Sequence, residues 1–526
     1  MRHVTESTWI LVTGATGFVG ASLVHELISR GHRVMCLVRA PSPAVARRRI
    51  VEALRTWTKA GDHLLETGQL TALRGDLHSP DCGLTKSVFD ALRGHISSLV
   101  HAAGSTRFFM NTMGEPRLTN VDGTRNLLDC AAHLECRVWH YISTAYVAGA
   151  IREAQESLAS VPPTFHNDYE RSKWEAEHIA ADLAHQSGTK LTIYRPSIIV
   201  GHSATGLTSH FAGIYFLFRA VSLLARAVTN QPETDRNAIS LRIPASPDKR
   251  PNLICIDDVA SHFTDLFETP NAHGGIYHLT HPAPPTNALI KRALETYYNV
   301  GGGQFTNGDT DAMQRQCNTA HTANTFQQIF DDLTAPLREY LFDAPRFSRM
   351  QTDRFVRRQP AEWSELRLRK LIASAEQSGW RSSGYERQIA ASPGSIGAYF
   401  RDFLPSRLAI SLIGQMEQID LAVRFEIGDQ SHGHWWCRFR HGRVEEVAPA
   451  LNQPADVTYR TSESRFWAAV AGEITAAELF LAGEADVKGD IERALKFSMI
   501  LGEFVKEHPY RKFASGEFDI QKINGT

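Results

Sequence analysis

The sequence predicts a doubly wound α/β fold, in which helices cover both faces of a parallel sheet, followed by a smaller α+β domain. From residue 9 to about 280, short apolar segments alternate with segments of helical length. The alternation stops after Thr280, where a glycine-rich polar stretch (301–325) precedes a charge-rich, helix-like one. After residue 395, apolar residues recur at every second position. We therefore expect three regions, 1–284, 285–395 and 396–526.

The individual elements follow from these periodicities. Strands are predicted at 9–12, 33–38, 70–74, 97–100, 137–143 and 190–194, and helices at 18–30, 43–58, 121–134 and 169–185. In the last region, period-two alternation places three sets of residues on strand faces: Val423, Phe425 and Ile427; Trp435, Cys437 and Phe439; Val457 and Tyr459.

The composition is typical of a globular protein and excludes several classes. Of 526 residues, 43% are hydrophobic, and 56 basic residues balance 57 acidic ones, so we expect no nucleic-acid partner. Seven scattered cysteines without a C-x-x-C pair, and an N-terminus that runs directly into a strand, favour a cytoplasmic protein. Arg219 and Arg226 interrupt the apolar segment 211–228, which predicts a buried or lid helix, or the lining of an acyl-chain tunnel, and no transmembrane segment.

A glycine-rich turn follows the first predicted strand. The segment TGATGFVG places glycines where a strand passes into a helix, so that the backbone can bend tightly and approach a pyrophosphate at the helix N-terminus. This pattern predicts a dinucleotide site formed by Gly14, Thr16, Gly17, Phe18 and Gly20.

The end of the second strand favours NADP(H) over NAD(H). An NAD-binding site places a carboxylate about 20 residues past the glycine turn to hold the ribose 2′-hydroxyl. No carboxylate occurs from residue 33 to residue 50; Arg39 ends the strand, and Arg47, Arg48 and Arg49 follow. These cations suit a 2′-phosphate, although Arg48 is better explained as part of a solvated helix face.

A tyrosine and a lysine four residues apart predict acid–base chemistry. Tyr169 and Lys173 share a face of a predicted helix, and Thr144 follows the strand that ends just upstream. Ligands bind at the carboxyl ends of strands in open α/β sheets. We expect Thr144 to hold a carbonyl oxygen and Tyr169 to deliver a proton. Lys173 would lower the tyrosine pKa and bind the nicotinamide ribose.

With these motifs, the first 280 residues resemble the extended short-chain dehydrogenase/reductases with a Rossmann fold, in the fatty acyl-CoA reductase and thioester reductase (male-sterility-type) branch. The resemblance extends over about half of the chain. It implies an NADP(H)-binding domain over 1–284 and a helical substrate or lid region over 285–395.

The branch-specific segments imply further site residues. CLVRAPSPAVARRRI assigns the 2′-phosphate to Arg39 with Arg47 or Arg49, and HYISTAYVAG favours Thr144 over Ser143 as the catalytic hydroxyl. Three other segments, GDLHSPDCGLT, HAAGSTRFF with TNVDGTRNLL, and YRPSIIVG, imply cofactor contacts at Asp76, Leu77, Ala102, Ala103, Gly104, Asn120, Pro196 and Ile198.

The segment 455–497 resembles a sterol-carrier-protein-2 lipid-binding domain, which implies an apolar ligand for residues 396–526. A role in dimerisation or stability alone is the alternative. The chain ends without a peroxisomal tripeptide. His432, His434 and Cys437 do not form a metal site, because strand alternation puts the cysteine on the opposite face from the histidines. We expect no metal.

These observations predict an NADPH-dependent oxidoreductase that reduces a fatty or other apolar acyl thioester, on coenzyme A or a carrier protein, to an aldehyde or alcohol. Two alternatives stay open. One is an NADP-dependent alcohol, ketone or sterol dehydrogenase, because the same residues serve those carbonyls. The other is a non-catalytic lipid-binding or transfer protein.

Overall fold

The computed structural model describes residues 8–510 except 109, 111–113, 159–163, 230–240, 307–326, 328–329, 331–333, 335–336, 343–344, 379, 381–394, 410, 412–418, 429–432, 451, 473–478 and 480–484. The contacts divide the chain into two compact units: the first extends to Ser378, and the second covers the residues from 385 onward.

A seven-stranded parallel sheet forms the centre of the first unit. Its strands are β1 (Trp9–Thr13), β2 (Val34–Val38), β3 (Leu70–Arg74), β4 (Ile96–His101), β5 (Val138–Ile142), β6 (Lys190–Pro196) and β7 (Ile276–Leu279). Their spatial order is β3-β2-β1-β4-β5-β6-β7, with all neighbours parallel. The predicted doubly wound fold is confirmed, and the order reverses between β1 and β4, where ligands bind in such sheets. The sequence analysis missed β7, which has only four residues.

Helices cover both faces of this sheet. They are α1 (Phe18–Ser29), α2 (Pro43–Leu54), α3 (Gly61–Glu66), α4 (Lys86–Leu92), α5 (Gly123–His133), α6 (Asp168–Ser187), α7 (Ile214–Thr229), α8 (Ile256–Phe267), α9 (Asn287–Tyr298), α10 (Arg338–Phe342) and α11 (Glu365–Gln377). One apolar core joins the sheet to α1, α2 and α8, and another joins it to α5 and α6. Two predicted boundaries were wrong: α2 ends at Leu54, and a π-turn, Leu118–Asp122, precedes α5.

An irregular segment, residues 345–363, crosses the edge of the first unit; we call it the strap. Three short parallel pairs lie outside the main sheet, and one of them, Glu153–Ala154 with Arg346–Phe347, begins the strap. The others are Ile198–Val200 with Leu253–Cys255, and Arg242–Ile243 with Gln304–Phe305. The buried Glu156 carboxylate accepts hydrogen bonds from the backbone N–H groups of His278 (3.0 Å) and Thr352 (3.1 Å). This carboxylate therefore ties the strap to β7.

The apolar segment for which the sequence analysis predicted a buried or lid helix forms α7. Its Arg219 is buried at 5% exposure, and Arg226 has a side chain outside the described residues. Within the described ranges, no helix combines the length and apolar character needed to cross a bilayer. The six described cysteines are buried and form no disulfide, while Cys317 lies outside the described residues.

The second unit is a five-stranded sheet with helices on its apolar face. Its strands β8 (Leu421–Ile427), β9 (His434–Arg440), β10 (Arg443–Pro449), β11 (Val457–Thr461) and β12 (Ala485–Gly489) have the order β10-β9-β8-β11-β12. Only β8 and β11 pair in parallel among these neighbours. The helices are α12 (Ile396–Ala398), α13 (Leu404–Leu408), α14 (Glu463–Val470) and α15 (Ile491–Glu507), with a π-turn, Tyr399–Phe403, between the first two.

The predicted period-two faces meet in one core. Val423 lies opposite Cys437 and beside Val457, and Phe425 lies opposite Trp435. All of these side chains belong to a single buried cluster, against which Tyr459 packs. Cys437 is fully buried on this face, whereas His434 alternates to the other, as expected. His432 lies outside the described residues, which contain no His, Cys, Asp or Glu grouping suited to a metal ion.

Candidate active site

The glycine turn lies between β1 and α1, at the point where the strand order reverses. Gly14 has a positive φ of 70°, and its carbonyl accepts a hydrogen bond from Gly17 N at 2.9 Å. A Cβ at Gly14 would lie 2.4 Å from Ala103 N, and one at Gly20 would lie 2.2 Å from Gly14 O. No larger residue fits either position without moving the backbone.

The N-terminus of α1 fits an anionic group. Gly17 is the N-cap residue, it is exposed, and no side chain caps the helix. The first N–H groups of a helix attract phosphate when no side chain satisfies them. Thr16 is partly exposed beside Gly17, and Phe18 is buried and stacks on Trp57. The turn therefore fits a dinucleotide pyrophosphate.

The loop after β4 lies against the glycine turn. Ala102 N donates to Thr13 O at 3.2 Å, so Ala102, Ala103 and Gly104 leave the sheet beside the glycine turn. Asn120 lies on the π-turn before α5 and is fully buried. Its Oδ1 accepts a hydrogen bond from Ser105 N at 2.7 Å, and its Nδ2 donates one to Ser105 O at 2.9 Å. The π-turn thus fixes the loop that lies beside the glycine turn.

The predicted 2′-phosphate residues gather at the end of β2. Arg39 and Arg47 are exposed, and the guanidinium of Arg49 donates to the carbonyl of Arg39. The structure adds Arg74, at the end of β3, whose Nε donates to Ala40 O at 3.0 Å. The sequence analysis missed Arg74 because only strand pairing brings it beside residue 38.

The remaining predicted cofactor residues border the same edge of the sheet. Asp76 accepts a hydrogen bond from His78 N at 3.1 Å, and Leu77 O accepts one from Asn126 Nδ2 at 2.8 Å. At the other end, Pro196 ends β6, and Ile198 N donates to Asn252 O at 3.2 Å. These residues follow the carboxyl ends of β3 and β6, at the same edge of the sheet as the glycine turn.

The structure brings Thr144 and Tyr169 close together. Thr144 is buried and Tyr169 is half-buried. Thr144 Oγ1 accepts a hydrogen bond from Tyr146 N at 3.3 Å, which fixes the turn after β5. Desolvation raises the pKa of Tyr169 to about 12, although the nearby Thr144 side chain favours a lower value. Tyr169 therefore keeps its proton at neutral pH.

Lys173 follows Tyr169 by one turn on α6 and is 4% exposed. Its Nζ donates to Ile142 O at 2.7 Å and lies 4.3 Å from the centroid of the Tyr141 ring. Burial lowers the pKa of Lys173 to about 7, and the nearby Glu177 carboxylate opposes this effect. The expected lowering of the tyrosine pKa was wrong for this structure, because desolvation of the phenol outweighs the other influences.

Two buried hydroxyl groups beside Thr144 were not singled out for this role by the sequence analysis. Ser143 Oγ and Tyr146 OH have no hydrogen-bond partner among the described residues, although both are buried. Buried polar groups are normally paired, so two unpaired hydroxyls next to Thr144 set this turn apart from an ordinary core. The sequence analysis named Ser143 only as less favoured than Thr144, and no sequence signal pointed to Tyr146.

A third missed feature is the packing of Tyr340 against the start of α6. Its hydroxyl donates to the fully buried Glu170 carboxylate at 2.6 Å, and its ring lies 4.7 Å from Tyr146 and 5.7 Å from Phe108. Tyr340 belongs to α10, so the region after β7 contacts the residues that flank Tyr169.

Comparison with known proteins assigns both units. A family model described as "Male sterility protein" matches residues 12–244, and one described as "SCP-2 sterol transfer family" matches residues 414–502. The chain carries a male sterility-type NAD-binding domain and an SCP-2 domain. The first is an extended short-chain dehydrogenase/reductase domain of the oxidoreductase class, and the expected nicotinamide dinucleotide cofactor is confirmed at that level.

Curated relatives match this chain over limited regions. Isonitrile lipopeptide synthase of Streptomyces coeruleorubidus is 36% identical over 217 residues, which are 40% of this chain and 14% of that protein. Aldehyde reductase lnbA of Aspergillus flavus is 27% identical over 287 residues, 52% of this chain and 26% of that one. The L-2-aminoadipate reductase large subunit of Penicillium chrysogenum is 27% identical over 322 residues, which are 56% of this chain and 21% of that protein. The chain spans at most 26% of the length of these three relatives.

Two solved structures share the fold of the first unit. The terminal R domain from the myxalamid PKS-NRPS biosynthetic pathway has a TM-score of 0.59 and 23% identity, covering 72% of this chain and 93% of that one. A thiolation-reductase di-domain from an archaeal non-ribosomal peptide synthetase has a TM-score of 0.54 and 19% identity, and the match covers 71% of this chain and 91% of that one. At these identities the likeness establishes the fold.

Proposed function

We propose that the first unit reduces a thioester with NADPH and releases a free thiol together with an aldehyde or alcohol. The observation that carries the proposal is the proximity of the Thr144 and Tyr169 side chains, with the buried Lys173 one helical turn further along α6, at the carboxyl ends of the strands. The named relatives include two reductases and a thiolation-reductase di-domain, which supports a thioester as the substrate.

Thr144, Tyr169 and Lys173 each have a different role in the proposed carbonyl reduction. When bound at the carboxyl ends of the strands, a reduced nicotinamide supplies the hydride. Thr144 and Tyr169 donate hydrogen bonds to the carbonyl oxygen, and Tyr169 transfers its proton as negative charge develops there. The Lys173 ammonium then stabilises the phenolate. A tyrosine pKa of about 12 suits a proton donor to an alkoxide, which is more basic still.

NADPH is the form of the cofactor that the arginines support. Arg39, Arg47 and Arg49 lie at the end of β2 or on α2, and Arg74 reaches the same loop from β3. A 2′-phosphate is recognised by such cations.

The acyl group and its carrier are proposed from the second unit and from the relatives. An SCP-2 domain with an apolar core supports a lipid-like ligand, and therefore a fatty or other apolar acyl group. A synthetase-type relative supports a carrier protein, whereas the resemblance to fatty acyl-CoA reductases supports coenzyme A. Both carriers present the acyl group on the same phosphopantetheine thiol.

Substrate-dependent oxidation of NADPH tests the proposal. Purified full-length protein would be mixed with acyl-CoA and acyl-carrier thioesters of graded chain length, and free thiol counted against NADPH consumed. One NADPH per thiol indicates an aldehyde product, and two indicate an alcohol. Oxidation with ketones or sterols but without thiol release would transfer the function to the dehydrogenase alternative. Cofactor binding without any turnover would support the lipid-transfer alternative.

A further inference from the structure

A buried ion pair lies one helical turn beyond Lys173. Glu177 is 0% exposed and Arg195, on β6, is 2% exposed. The carboxylate oxygens of Glu177 accept from Arg195 Nε at 2.9 Å and from Arg195 Nη2 at 2.7 Å. A third guanidinium nitrogen, Nη1, donates to Gln155 O at 3.2 Å. The pair is thus bidentate and desolvated.

The Glu177–Arg195 ion pair and the Lys173 amine are held by neighbouring strands of the main sheet. Lys173 and Glu177 are four residues apart on α6, which puts them on one face. Lys173 Nζ bonds the carbonyl of Ile142, and the register partner of Ile142 is Tyr194, the residue before Arg195. Glu177 is therefore held against the strand next to the one that holds the amine.

Among the described residues, three ionisable side chains lie near the amine: Glu177 on α6, Tyr141 on β5 and His101 on β4. Tyr169 shares the face of α6 that carries Lys173, and Arg195 on β6 faces Glu177. Burial raises the pKa of both tyrosines above the ordinary value and lowers the pKa of His101 to about 3. The two tyrosines and His101 are neutral at pH 7, so Glu177 supplies the negative charge in this set.

We propose that Glu177, fixed by Arg195, is a positioning residue that raises the protonated fraction of Lys173 in the reductase site. Buried ion pairs add little stability compared with apolar residues of similar volume, so their presence beside a functional group calls for another role. Without Glu177, burial alone would favour the neutral amine, which cannot stabilise a phenolate. The inference rests on the role proposed above for Lys173.

The test compares Glu177→Gln with Glu177→Asp in the full-length chain. Both substitutions disturb packing, but only Glu177→Gln removes the charge. The readout is the pH titration of the Lys173 ¹⁵Nζ resonance, assigned by its loss in Lys173→Met. We expect the midpoint to fall by about one pH unit in Glu177→Gln and to stay near that of the wild type in Glu177→Asp. The alkaline limb of kcat/KM should shift to lower pH in parallel.

A double variant tests the same inference if Glu177→Gln alone does not fold. Glu177→Gln leaves the Arg195 guanidinium buried without its partner, so Glu177→Gln with Arg195→Gln removes both charges together. Its Lys173 midpoint should also fall. Equal midpoints in the Gln and Asp variants, or an unchanged midpoint in the double variant, would overturn the inference. Because the titration requires no substrate, a shifted midpoint in a protein that reduces no thioester would refute the proposed function alone.

Discussion

Tyr169 is the side chain on which the proposed proton transfer depends most directly. Tyr169→Phe keeps the half-buried ring and removes the hydroxyl near Thr144. We expect kcat to fall by about 10²- to 10⁴-fold, the usual contribution of a positioned acid, with little change in NADPH affinity. Steady-state kinetics and fluorescence titration measure the two effects. Tyr297→Phe, on α9, is the control, and a Tyr169→Phe enzyme of near wild-type kcat would remove the tyrosine from the mechanism.

Arg39 tests the choice between the two nicotinamide cofactors at the residue scale. Arg39 is exposed at the end of β2, where no carboxylate lies between residues 33 and 50. We expect Arg39→Ala to weaken NADPH binding by about tenfold and to leave NADH binding unchanged, because only NADPH carries the 2′-phosphate. Titration of both cofactors would show this. Arg48→Ala should alter neither, and an equal loss for NADPH and NADH in Arg39→Ala would contradict the assignment.

At the scale of elements, the turn from β1 to α1 has no space for a side chain. A Cβ at Gly20 would lie 2.2 Å from Gly14 O and 2.6 Å from Gly14 C, both backbone atoms. We expect Gly20→Ala to displace the turn and to weaken NADPH binding by at least about tenfold, as measured by titration. Gly502→Ala, in α15, meets no atom within 4 Å and should leave binding unchanged. Tight binding by Gly20→Ala would show that the turn does not contact the cofactor.

Two buried histidines that bond the strap predict that the protein loses stability in acid. His262 Nε2 bonds Arg358 O at 2.9 Å and His278 Nδ1 bonds Ser348 O at 2.7 Å. Burial lowers the pKa of His262 to about 4 and that of His278 to about 3. The unfolded chain, with histidine pKa values near 6.5, then binds more protons, so the free energy of unfolding decreases as the pH falls from about 6.5 to 4.

Urea unfolding between pH 7 and 4.5 measures this decrease. His262→Gln retains a donor for the Arg358 carbonyl and has no imidazole to protonate, so its stability should depend less steeply on pH. The exposed His133 provides the control, since His133→Gln should leave the slope unchanged. Equal slopes in wild type and His262→Gln would show that the strap does not respond to protonation.

At the scale of the whole molecule, each unit has its own buried core. A chain that ends at Ser378 should therefore fold and reduce short-chain thioesters at the rate of the full protein. If the SCP-2 domain delivers an apolar substrate, the truncation should raise KM more for long acyl chains than for short ones. Steady-state kinetics across chain lengths measures this, and equal changes would exclude delivery.

Local patterns in the sequence were sufficient for much of the first unit and for its main candidate residues. Six of the seven sheet strands, the glycine turn and the Tyr169–Lys173 spacing depend on residues that are close in the chain, because periodicity and turn chemistry act over a few residues. The same holds for the buried faces of β8 and β9. The family resemblance extended this to the second unit.

Other features were decided only by tertiary structure. Strand pairing brings Arg74 to the loop after β2, and folding brings Tyr340 to Glu170 across 170 positions of sequence. The pairing of Glu177 with Arg195, and with it the charge near Lys173, requires α6 to lie on β6. Hydrogen bonding and desolvation depend on which groups exclude water from one another, so a pKa of about 12 for Tyr169 and about 7 for Lys173 could not be read from the spacing of the two residues.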